Sequence, residues 1–323
     1  MPSFEMLIGL PASGKTTYAT AKESEGFVRV SSDDVRHDLF GDGGYTKQEQ
    51  AQVFGEVNKR IFDALVNGRD VIMDATNLSR KYRIETMNRL PIGVNNITAR
   101  LFLSPIDKLI KRNASRDYAV PEDTYDRMLK HFDPPSMLIE NFDKIEMVFE
   151  DGPYDMSPYD DWDVLKRITH DNKYHAETIG SHLLTAESIG EEFDPIIRYA
   201  AKYHDIGKVL AKSFYNRKGE KVDNAVFYNH ENIGSYIWLL LWHTQEELFG
   251  LDYEDALDVA LLINLHMRPF VWEKSHETFI RDVKKLRRPR WANDFDYDDK
   301  ILKDILLLHQ IDLSAKTEVK HVK

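Results

Sequence analysis

The stretch GLPASGKT, residues 9–16, decides the fold of the first half of the chain. It has the G-x-x-x-x-G-K-[ST] spacing, follows the apolar run FEMLI at 4–8 and precedes a segment of helical pattern. That is the context in which this motif binds phosphate. Glycines let the backbone wrap around phosphates, and successive N–H groups at a helix N-terminus attract negative charge. The stretch therefore predicts a binding site for ATP and Mg²⁺.

The residues predicted to line this nucleotide site are Gly9, Pro11, Ala12, Ser13, Gly14, Lys15, Thr16 and Thr17. We expect Lys15 to reach the β- and γ-phosphates and the Thr16 hydroxyl to hold Mg²⁺. The alternative is a chance glycine-rich turn, which the strand and helix patterns on either side of the loop disfavour.

Short apolar runs recur along the first half, with helical patterns between them. The runs are at 27–30, 70–73, 97–103 and 144–149. The longest helical pattern, 46–68, has Thr46 and Glu49 at capping-box spacing and Gly68 at its end. Strands that alternate with helices are typical of a parallel sheet with flanking helices. Residues 1–150 are therefore predicted to form an α/β domain.

The pattern changes at about residue 151. Residues 151–165 belong to an acidic stretch with two prolines, EDGPYDMSPYDDWD at 150–163, and are predicted to be an exposed linker. Helical periods then dominate, so 166–323 is predicted to be an all-helical second domain. A chain of 323 residues is long enough for two ordinary domains.

The composition limits the possible chemistry. The chain has no cysteine, so any metal must be held by histidines and carboxylates. A net charge of −11 argues against a protein that coats nucleic acid, but it leaves recognition of a strand's end open. The apolar run IWLLLW at 237–242 is far shorter than a bilayer span, and the N-terminus lacks a secretory pattern. We therefore expect a cytoplasmic protein that does not bind a membrane.

Residues that suit phosphoryl transfer follow the predicted strands. Asp33 and Arg36 lie in SSDDVRHDLF at 31–40, after the second strand, where such a sheet forms its ligand crevice. Asp33 could accept a hydroxyl proton and Arg36 could bind a phosphate of the acceptor; a helix cap is the alternative for Asp33. Arg112 and Arg116 are one helical turn apart, so both could point at the γ-phosphate. A surface ion-pair face is the alternative for these arginines.

Four motifs of the first half, GLPASGKTT, SSDDVR, DATNL and KRNASR followed by AVP, give it a resemblance to the phage-type polynucleotide 5′-kinase family. The resemblance implies that Asp33 is the general base that activates a 5′-hydroxyl and that Arg36 binds the terminal phosphate of the acceptor. It also implies that Arg112 and Arg116 are lid arginines on ATP. The motif DATN has an extra residue compared with some members, which leaves the role of Asp74 open.

The second half carries histidines and aspartates at the expected inner faces of successive helices. They are His175, His182, His204, Asp205, His230, His266 and Asp312. His175 and His182 are seven residues apart, which puts them on one face of a predicted helix. A single histidine on an apolar helix is more often a core residue. So many buried polar groups need a partner, however, and a metal would supply it.

The order H…HD…D, with further histidines before the last aspartate, resembles the HD phosphohydrolase superfamily, which is all-helical. The metal ligands that the resemblance implies are His182, His204, Asp205 and Asp312, with His230 and His266 for a second metal or a phosphate. It also implies a phosphate contact for Lys208 and a substrate contact for His175. Mixed imidazole and carboxylate ligands favour Mn²⁺, Fe²⁺, Co²⁺ or Ni²⁺ over structural zinc.

Together the resemblances imply an RNA end-healing enzyme. Its kinase would phosphorylate a 5′-hydroxyl, and its second domain would open a 2′,3′-cyclic phosphate and remove the remaining phosphate. The alternatives are a small-molecule kinase fused to a nucleotide phosphohydrolase, and a regulatory module that binds ATP and metal. The sequence leaves open whether the ends are RNA or DNA, whether a separate ligase is a partner, and the oligomeric state.

Two further stretches could contact a nucleic-acid strand. RDVKKLRRPRW at 281–291 combines basic residues with a tryptophan, which suits phosphate contact and base stacking. FYNRKGEKV at 214–222 could form a hairpin beside the HD residues. A solvated surface is the alternative interpretation for both stretches.

Overall fold

The computed structural model describes residues 1–41, 46–116, 119–286 and 295–316, except for the side chains of 284–286 and 295–299. The contacts within the chain divide it into two compact units. The first contains Met1–Met128 and Pro135–Asp151, and the second contains Leu129–Pro134 and Gly152–Lys323.

The first unit is built on a five-stranded parallel sheet in the order β2-β3-β1-β4-β5. The strands are β1 Ser3–Ile8, β2 Val28–Ser31, β3 Val71–Asp74, β4 Asn95–Leu103 and β5 Lys144–Phe149. The helices are α1 Lys15–Ser24, α2 Ser32–Phe40, α3 Lys47–Val66, α4 Arg80–Met87, α5 Ile106–Ala114 and α6 Asp123–Leu129. The predicted α/β fold of the first half, a parallel sheet with flanking helices, is confirmed.

The central strand shows why the sheet forms. Phe4, Met6, Leu7 and Ile8 of β1 are all fully buried, as expected for a parallel strand that is covered on both faces. Because the strands are parallel, their carboxyl ends meet at one edge of the sheet. The phosphate loop, the start of α2 and Asp74 at the end of β3 therefore share that edge.

Helix α3 begins and ends as the sequence predicts. The Thr46 hydroxyl accepts a hydrogen bond from the Glu49 N–H at 3.2 Å, and the Glu49 carboxylate accepts one from the Thr46 N–H at 2.8 Å. This reciprocal capping box fixes the first turn. At the other end Gly68 has φ +74°, a left-handed conformation that favours glycine.

The second unit is mainly helical. Its helices are α7 Ser157–Asp160, α8 Trp162–Leu165, α9 Ile179–Gly190, α10 Pro195–Tyr203, α11 Lys208–Ala211, α12 His230–Thr244, α13 Glu246–Phe249, α14 Tyr253–Leu265, α15 Arg268–Trp272, α16 His276–Leu286 and α17 Phe295–Ala315. The apolar run IWLLLW lies in α12, which is buried in the core of this unit. The indole N–H groups of Trp238 and Trp242 donate to backbone carbonyl oxygens at 2.9 and 3.0 Å. Among the described residues, none of the helices is long and apolar enough to cross a membrane.

The second domain is predicted to be all-helical, but it also contains a two-stranded antiparallel hairpin. Its strands are β6 Ser213–Tyr215 and β7 Lys221–Val226. The turn between them forms because the Asn216 side chain accepts the N–H groups of Lys218 and Glu220 at 2.9 and 3.0 Å. Gly219 supplies the positive φ that the turn requires. The hairpin suggested at 214–222 is thus present.

The segment predicted to be an exposed linker, 151–165, contains helices α7 and α8, and from Gly152 on it groups with the second unit. The Asp161 carboxylate caps α8 by accepting the N–H groups of Asp163 and Val164 at 3.0 and 3.1 Å, and Leu165 is fully buried. Asp161 therefore caps a helix. The acidic composition alone does not distinguish such a cap from a flexible linker.

Candidate functional site

The phosphate loop has the backbone that its glycines allow. A Cβ atom on Gly9 would lie 2.8 Å from the Phe102 carbonyl oxygen and 2.9 Å from Ser13 Oγ, so only glycine fits there. Gly14, with φ +96°, caps the N-terminus of α1, and Ala12 also has a positive φ of 60°. The loop therefore turns tightly in front of a helix N-terminus, which is an arrangement that binds anions.

Lys15 lies inside this loop. Its ammonium donates to the Leu10 carbonyl oxygen at 2.7 Å and to Ser13 Oγ at 3.2 Å. Burial lowers the pKa of Lys15 to about 8, which the nearby Asp74 carboxylate opposes. A phosphate in the loop would restore the preference of this group for the charged form.

The remaining residues predicted for nucleotide binding surround Lys15. Pro11 is buried, whereas Thr16 and Thr17 are exposed in the first turn of α1. A cavity of about 400 Å³ opens beside the loop and is lined by Thr17, Phe149 and other residues of α1 and β5. Mostly apolar atoms line the cavity, as in sites that bind flat rings such as a nucleobase.

Asp33 and Arg36 lie in the first turns of α2, at the carboxyl end of β2. The helix cap is the Ser31 hydroxyl, which accepts the Asp34 N–H at 3.2 Å, so capping does not account for Asp33. The Asp33 side chain is 81% exposed and forms an ion pair with Arg36. Arg36 Nη2 also donates to the Gln50 side chain at 3.4 Å. An exposed carboxylate, paired with a half-buried guanidinium, therefore lies at the edge that carries the phosphate loop.

The two arginines after β4 are not placed as the helical spacing predicts. Arg112 lies in α5, where Nη1 donates to the Ala12 carbonyl oxygen at 2.8 Å and the guanidinium pairs with Glu150. Arg116 lies beyond the end of α5, because Ser115 caps the helix and its hydroxyl donates to the Arg112 carbonyl oxygen. The Arg116 charge nevertheless contributes to the lowered pKa of Lys15. Arg112 therefore contacts the phosphate loop, whereas Arg116 is near enough for its charge to lower the pKa of Lys15, and the two do not share a helix face.

The structure also places Asp74, whose role the sequence leaves open. This carboxylate is buried at the end of β3 and accepts hydrogen bonds from Arg29 Nε and Nη2 at 3.1 and 2.8 Å. Its charge is the largest influence that raises the pKa of Lys15. Asp74 therefore lies beside the phosphate loop, where a carboxylate could help to hold Mg²⁺.

In the second unit, six of the predicted ligands form two adjacent groups. The ligand atoms of His182, His204 and Asp312 lie within 4.8 Å of one another, and so do those of Asp205, His230 and His266. All of them are buried. They come from α9, the end of α10, the start of α12, the end of α14 and α17. Residues far apart in sequence therefore meet at one point.

Asp205 joins the two groups. Its Oδ2 atom lies 3.4 Å from His204 Nε2 and 3.7 Å from His182 Nε2. Its Oδ1 atom lies 2.9 Å from His230 Nε2 and 3.5 Å from His266 Nε2. Each oxygen of this carboxylate thus faces one of the two groups. A carboxylate placed in this way could bridge two metal ions.

The histidine rings are held so that Nε2 points inward. Nδ1 lies 2.8 Å from a backbone carbonyl oxygen in His204 and in His230, and 2.7 Å from one in His266. Because a carbonyl oxygen only accepts, each Nδ1 carries a hydrogen, and each Nε2 faces the centre, where it can bind a metal through its lone pair or carry a proton.

The Nε2 atoms also face one another. The Nε2 atoms of His182 and His204 are 3.2 Å apart, and those of His230 and His266 are also 3.2 Å apart. Two bare lone pairs at this distance repel unless a proton or a cation lies between them. Four imidazole nitrogens and two carboxylates without a thiolate are a donor set that first-row divalent metals accept. The residues therefore fit a metal centre.

The charges in this centre favour a cation. Although burial opposes protonation, the carboxylates of Asp205 and Asp312 raise the pKa of His204 to about 10. Burial likewise opposes ionisation of Asp312, but its hydrogen bonds with His182 and His204 hold its pKa well below the usual range. Lys208 donates to Asp205 Oδ2 at 2.5 Å. Positive charge is thus stabilised at the middle of the site.

His175 does not lie on the helix predicted for it. Helix α9 begins at Ile179, because the Thr178 hydroxyl caps it by accepting the Ser181 N–H at 3.2 Å. His175 instead reaches the site from the preceding loop, where its Nδ1 lies 2.8 Å from Glu177 Oε1.

Sequence reasoning missed Glu177 and His170. The Glu177 carboxylate also lies 3.4 Å from His182 Nδ1, so its charge is beside one of the candidate ligands. The His170 ring is buried and stacks on that of His175 with centroids 4.0 Å apart. The bridge between Thr169 and Thr178 brings these residues together, and no local spacing in the sequence signals such a bridge.

The basic stretch at 281–291 lies largely outside the described residues. The backbone of α16 is described to Leu286, but the side chains from 284 onward are not. Its interpretation as a strand-binding segment therefore stays a prediction.

Known proteins are similar to part of this chain. Residues 5–135 match the model of the family described as "AAA domain". The L-seryl-tRNA(Sec) kinase of Methanococcus maripaludis is 29% identical over 134 residues, which are 40% of this chain and 52% of that protein. A protein of Autographa californica nuclear polyhedrosis virus, named as a bifunctional polynucleotide kinase/RNA ligase, is 26% identical over 154 residues, which are 43% of this chain and 21% of that protein.

Among solved structures, a chain of the Pnkp1/Rnl/Hen1 RNA repair complex is 26% identical, with a TM-score of 0.36 over 39% of this chain and 42% of that one. The chain spans about half the length of the first curated relative and about a fifth of the second. The family match covers residues 5–135, and the two curated relatives, both named as kinases, align with 40% and 43% of the chain.

Proposed function

We propose that the first unit transfers the γ-phosphate of ATP to a 5′-hydroxyl end of a nucleic acid. The observation that carries this proposal is the exposed Asp33 carboxylate, paired with Arg36, at the sheet edge that holds the phosphate loop. Two relatives of this half are named for kinase activity on seryl-tRNA and on polynucleotides, which supports a nucleic-acid acceptor.

The residues suggest how the transfer would proceed. The loop N–H groups and Lys15 would hold the β- and γ-phosphates of ATP. Asp33 would accept the proton as the 5′-oxygen bonds to the γ-phosphorus, and the bond from that phosphorus to the β–γ bridging oxygen would break to release ADP. Arg112 and Arg116 would stabilise the negative charge of the transferred group. Mg²⁺, held by Thr16 with Asp74 nearby, would neutralise phosphate charge.

We propose that the second unit is a metal-dependent phosphoesterase that opens a 2′,3′-cyclic phosphate and removes the remaining phosphate. The convergence of four histidines and two aspartates, with inward Nε2 atoms, supports it. These six residues would hold Mn²⁺, Fe²⁺, Co²⁺ or Ni²⁺, which would activate water and neutralise charge at phosphorus. Lys208, which donates to Asp205, and His175, which lies in the loop before α9, would contact the substrate phosphate.

The two activities would heal both ends of a broken RNA, which a separate ligase could then join. The test offers labelled RNA with 5′-hydroxyl and 2′,3′-cyclic phosphate ends to the purified protein, with ATP and each divalent metal in turn. Free nucleosides and nucleotides are offered in parallel. We expect both RNA ends to be processed. Activity on the free nucleosides and nucleotides alone would contradict the proposal and indicate a small-molecule kinase with a nucleotide phosphohydrolase.

A further inference from the structure

Two aromatic rings stack on the surface of the first unit. The ring centroids of Phe54 in α3 and Tyr82 in α4 are 6.4 Å apart, and the ring planes differ by 9°. Tyr82 is 59% exposed, and Phe54 is half-buried. An exposed, parallel aromatic pair is able to add a third flat ring to the stack.

The aromatic pair is close to the residues proposed to bind the acceptor. Arg36, the partner of Asp33, donates to Gln50 of α3. Phe54 is four residues after Gln50 and therefore one turn further along the same face of α3. Tyr82 lies in the first turn of α4, just after the loop that leaves β3 at the carboxyl edge of the sheet. The two rings therefore lie on the same side of the unit as Asp33, beyond Gln50.

The backbone that carries Tyr82 is rigidly held. The neighbouring Arg83 is buried and makes a two-pronged ion pair with the buried Glu140, at 2.7 and 2.8 Å. Arg83 Nη1 also donates to the carbonyl oxygens of Asn77 and Leu78 at 3.0 and 2.9 Å. A platform that is fixed before binding loses little conformational entropy when a ligand stacks on it.

The positively charged side chain of Lys81 lies beside the two rings. The Lys81 ammonium is 5.6 Å from the centroid of the Tyr82 ring, and the Lys81 side chain is 74% exposed. Its carboxylate neighbour, Glu85, is 3.8 Å away, so the ion pair is loose. Lys81 can therefore turn towards a phosphate without breaking a buried contact.

We propose that Phe54 and Tyr82 form a stacking platform for a nucleobase of the strand whose 5′-end is phosphorylated, and that Lys81 contacts its backbone. This inference rests on the proposed kinase function. An aromatic face with a flexible cation beside it matches the two features that bind single strands: base stacking and phosphate contact. Because every base has a π face, the platform would bind any sequence.

The test measures steady-state kinetics with 5′-hydroxyl oligonucleotides in the full chain. We expect Tyr82→Ala to raise the KM for the oligonucleotide by about tenfold, with kcat and the KM for ATP unchanged. Tyr82→Phe keeps the ring and should behave as wild type. Tyr174→Ala removes another exposed tyrosine, which lies in the second unit and is 68% exposed, and serves as the matched control.

Abasic substrates identify the contact directly. Oligonucleotides that lack one base at successive positions from the 5′-end should show one position at which the wild type loses affinity. At that position Tyr82→Ala should show no further loss, because the ring that the base would contact is already absent. Quenching of 2-aminopurine placed there should report stacking on the wild type without any catalysis.

The outcomes separate this inference from the kinase proposal. If the wild type phosphorylates oligonucleotides and Tyr82→Ala leaves both their KM and the 2-aminopurine signal unchanged, the platform is overturned and the kinase stands. That result is also the one expected if the rings contact a protein partner. If the wild type phosphorylates no strand and quenches no base, both proposals are overturned.

Discussion

At the scale of single residues, Asp33 offers the sharpest test of the kinase. Asp33→Asn removes the proton acceptor and should lower kcat for 5′-phosphorylation by about a hundredfold or more. Since the side chain is 81% exposed, the melting temperature should not change. The matched control is Asp34→Asn, which alters the adjacent carboxylate that pairs with Arg29 at 3.1 Å. Equal losses in the two variants would contradict a special role for Asp33.

Asp205 is the residue on which the proposed metal centre most depends. Asp205→Ala should abolish opening of the 2′,3′-cyclic phosphate and lower the transition metal bound per chain, because Asp205 contacts both groups of ligands. Phosphorylation of the 5′-hydroxyl with Mg²⁺ should continue at the wild-type rate. His309→Ala, which removes a buried histidine that pairs with Glu273 at 3.0 Å, should retain the metal. An Asp205→Ala protein with full hydrolase activity would refute the assignment of the ligands.

Single residues are easiest to predict from the sequence where the motif is local. In the phosphate loop the chemistry comes from consecutive backbone groups, so spacing alone locates Lys15 and its glycines. Glu177 could not be found in this way, because its contacts with His175 and His182 depend on where α9 begins and on a bridge between two distant threonines. The inward direction of the Nε2 atoms likewise depends on ring orientations that are set by the fold.

At the scale of elements, helix α14 carries a half-buried carboxylate, that of Asp258, whose ionisation should affect stability. Burial raises the pKa of Asp258 to about 6, although Lys300 of α17 opposes the shift. A carboxyl with a raised pKa stabilises the folded state while it is neutral, fully below about pH 4. This contribution is lost as the pH rises through 6.

Asp258→Asn should therefore raise the melting temperature at pH 8, by about 2–4 °C, and less at pH 5. Thermal unfolding at both pH values measures this difference. The control is Asp223→Asn, at an exposed position of β7, which should leave the melting temperature unchanged at either pH. A gain that is equal at pH 5 and pH 8 would show that ionisation of Asp258 is not the cause.

Elements were predictable where hydrophobic period and capping agree, as in α3 with its Thr46 and Glu49 box. The prediction was wrong where tertiary contacts decide. Acidic residues at 151–165 look like a linker, but Asp160 accepts a hydrogen bond from Gln245 at 2.7 Å. That contact between distant positions holds α7 in the second unit, and the local composition does not indicate it.

At the scale of the whole molecule, the two candidate sites belong to two compact units with different ligands. The metal ligands come from five helices that are distant in sequence, so a bound ion would link these helices and stabilise the second unit. Thermal unfolding of the metal-stripped protein should therefore show a transition that Mn²⁺ or Ni²⁺ moves upward, by about 5–10 °C at a hundred times the dissociation constant.

ATP with Mg²⁺ should move a different transition, because it binds the first unit. Calorimetry with each ligand alone and with both distinguishes the two shifts, which should add if the units unfold independently. In His204→Ala the shift with Mn²⁺ or Ni²⁺ should disappear while the shift with ATP remains. A transition metal that shifted both transitions equally in wild type and in His204→Ala would bind elsewhere, and the histidine and aspartate centre would then not be the metal site.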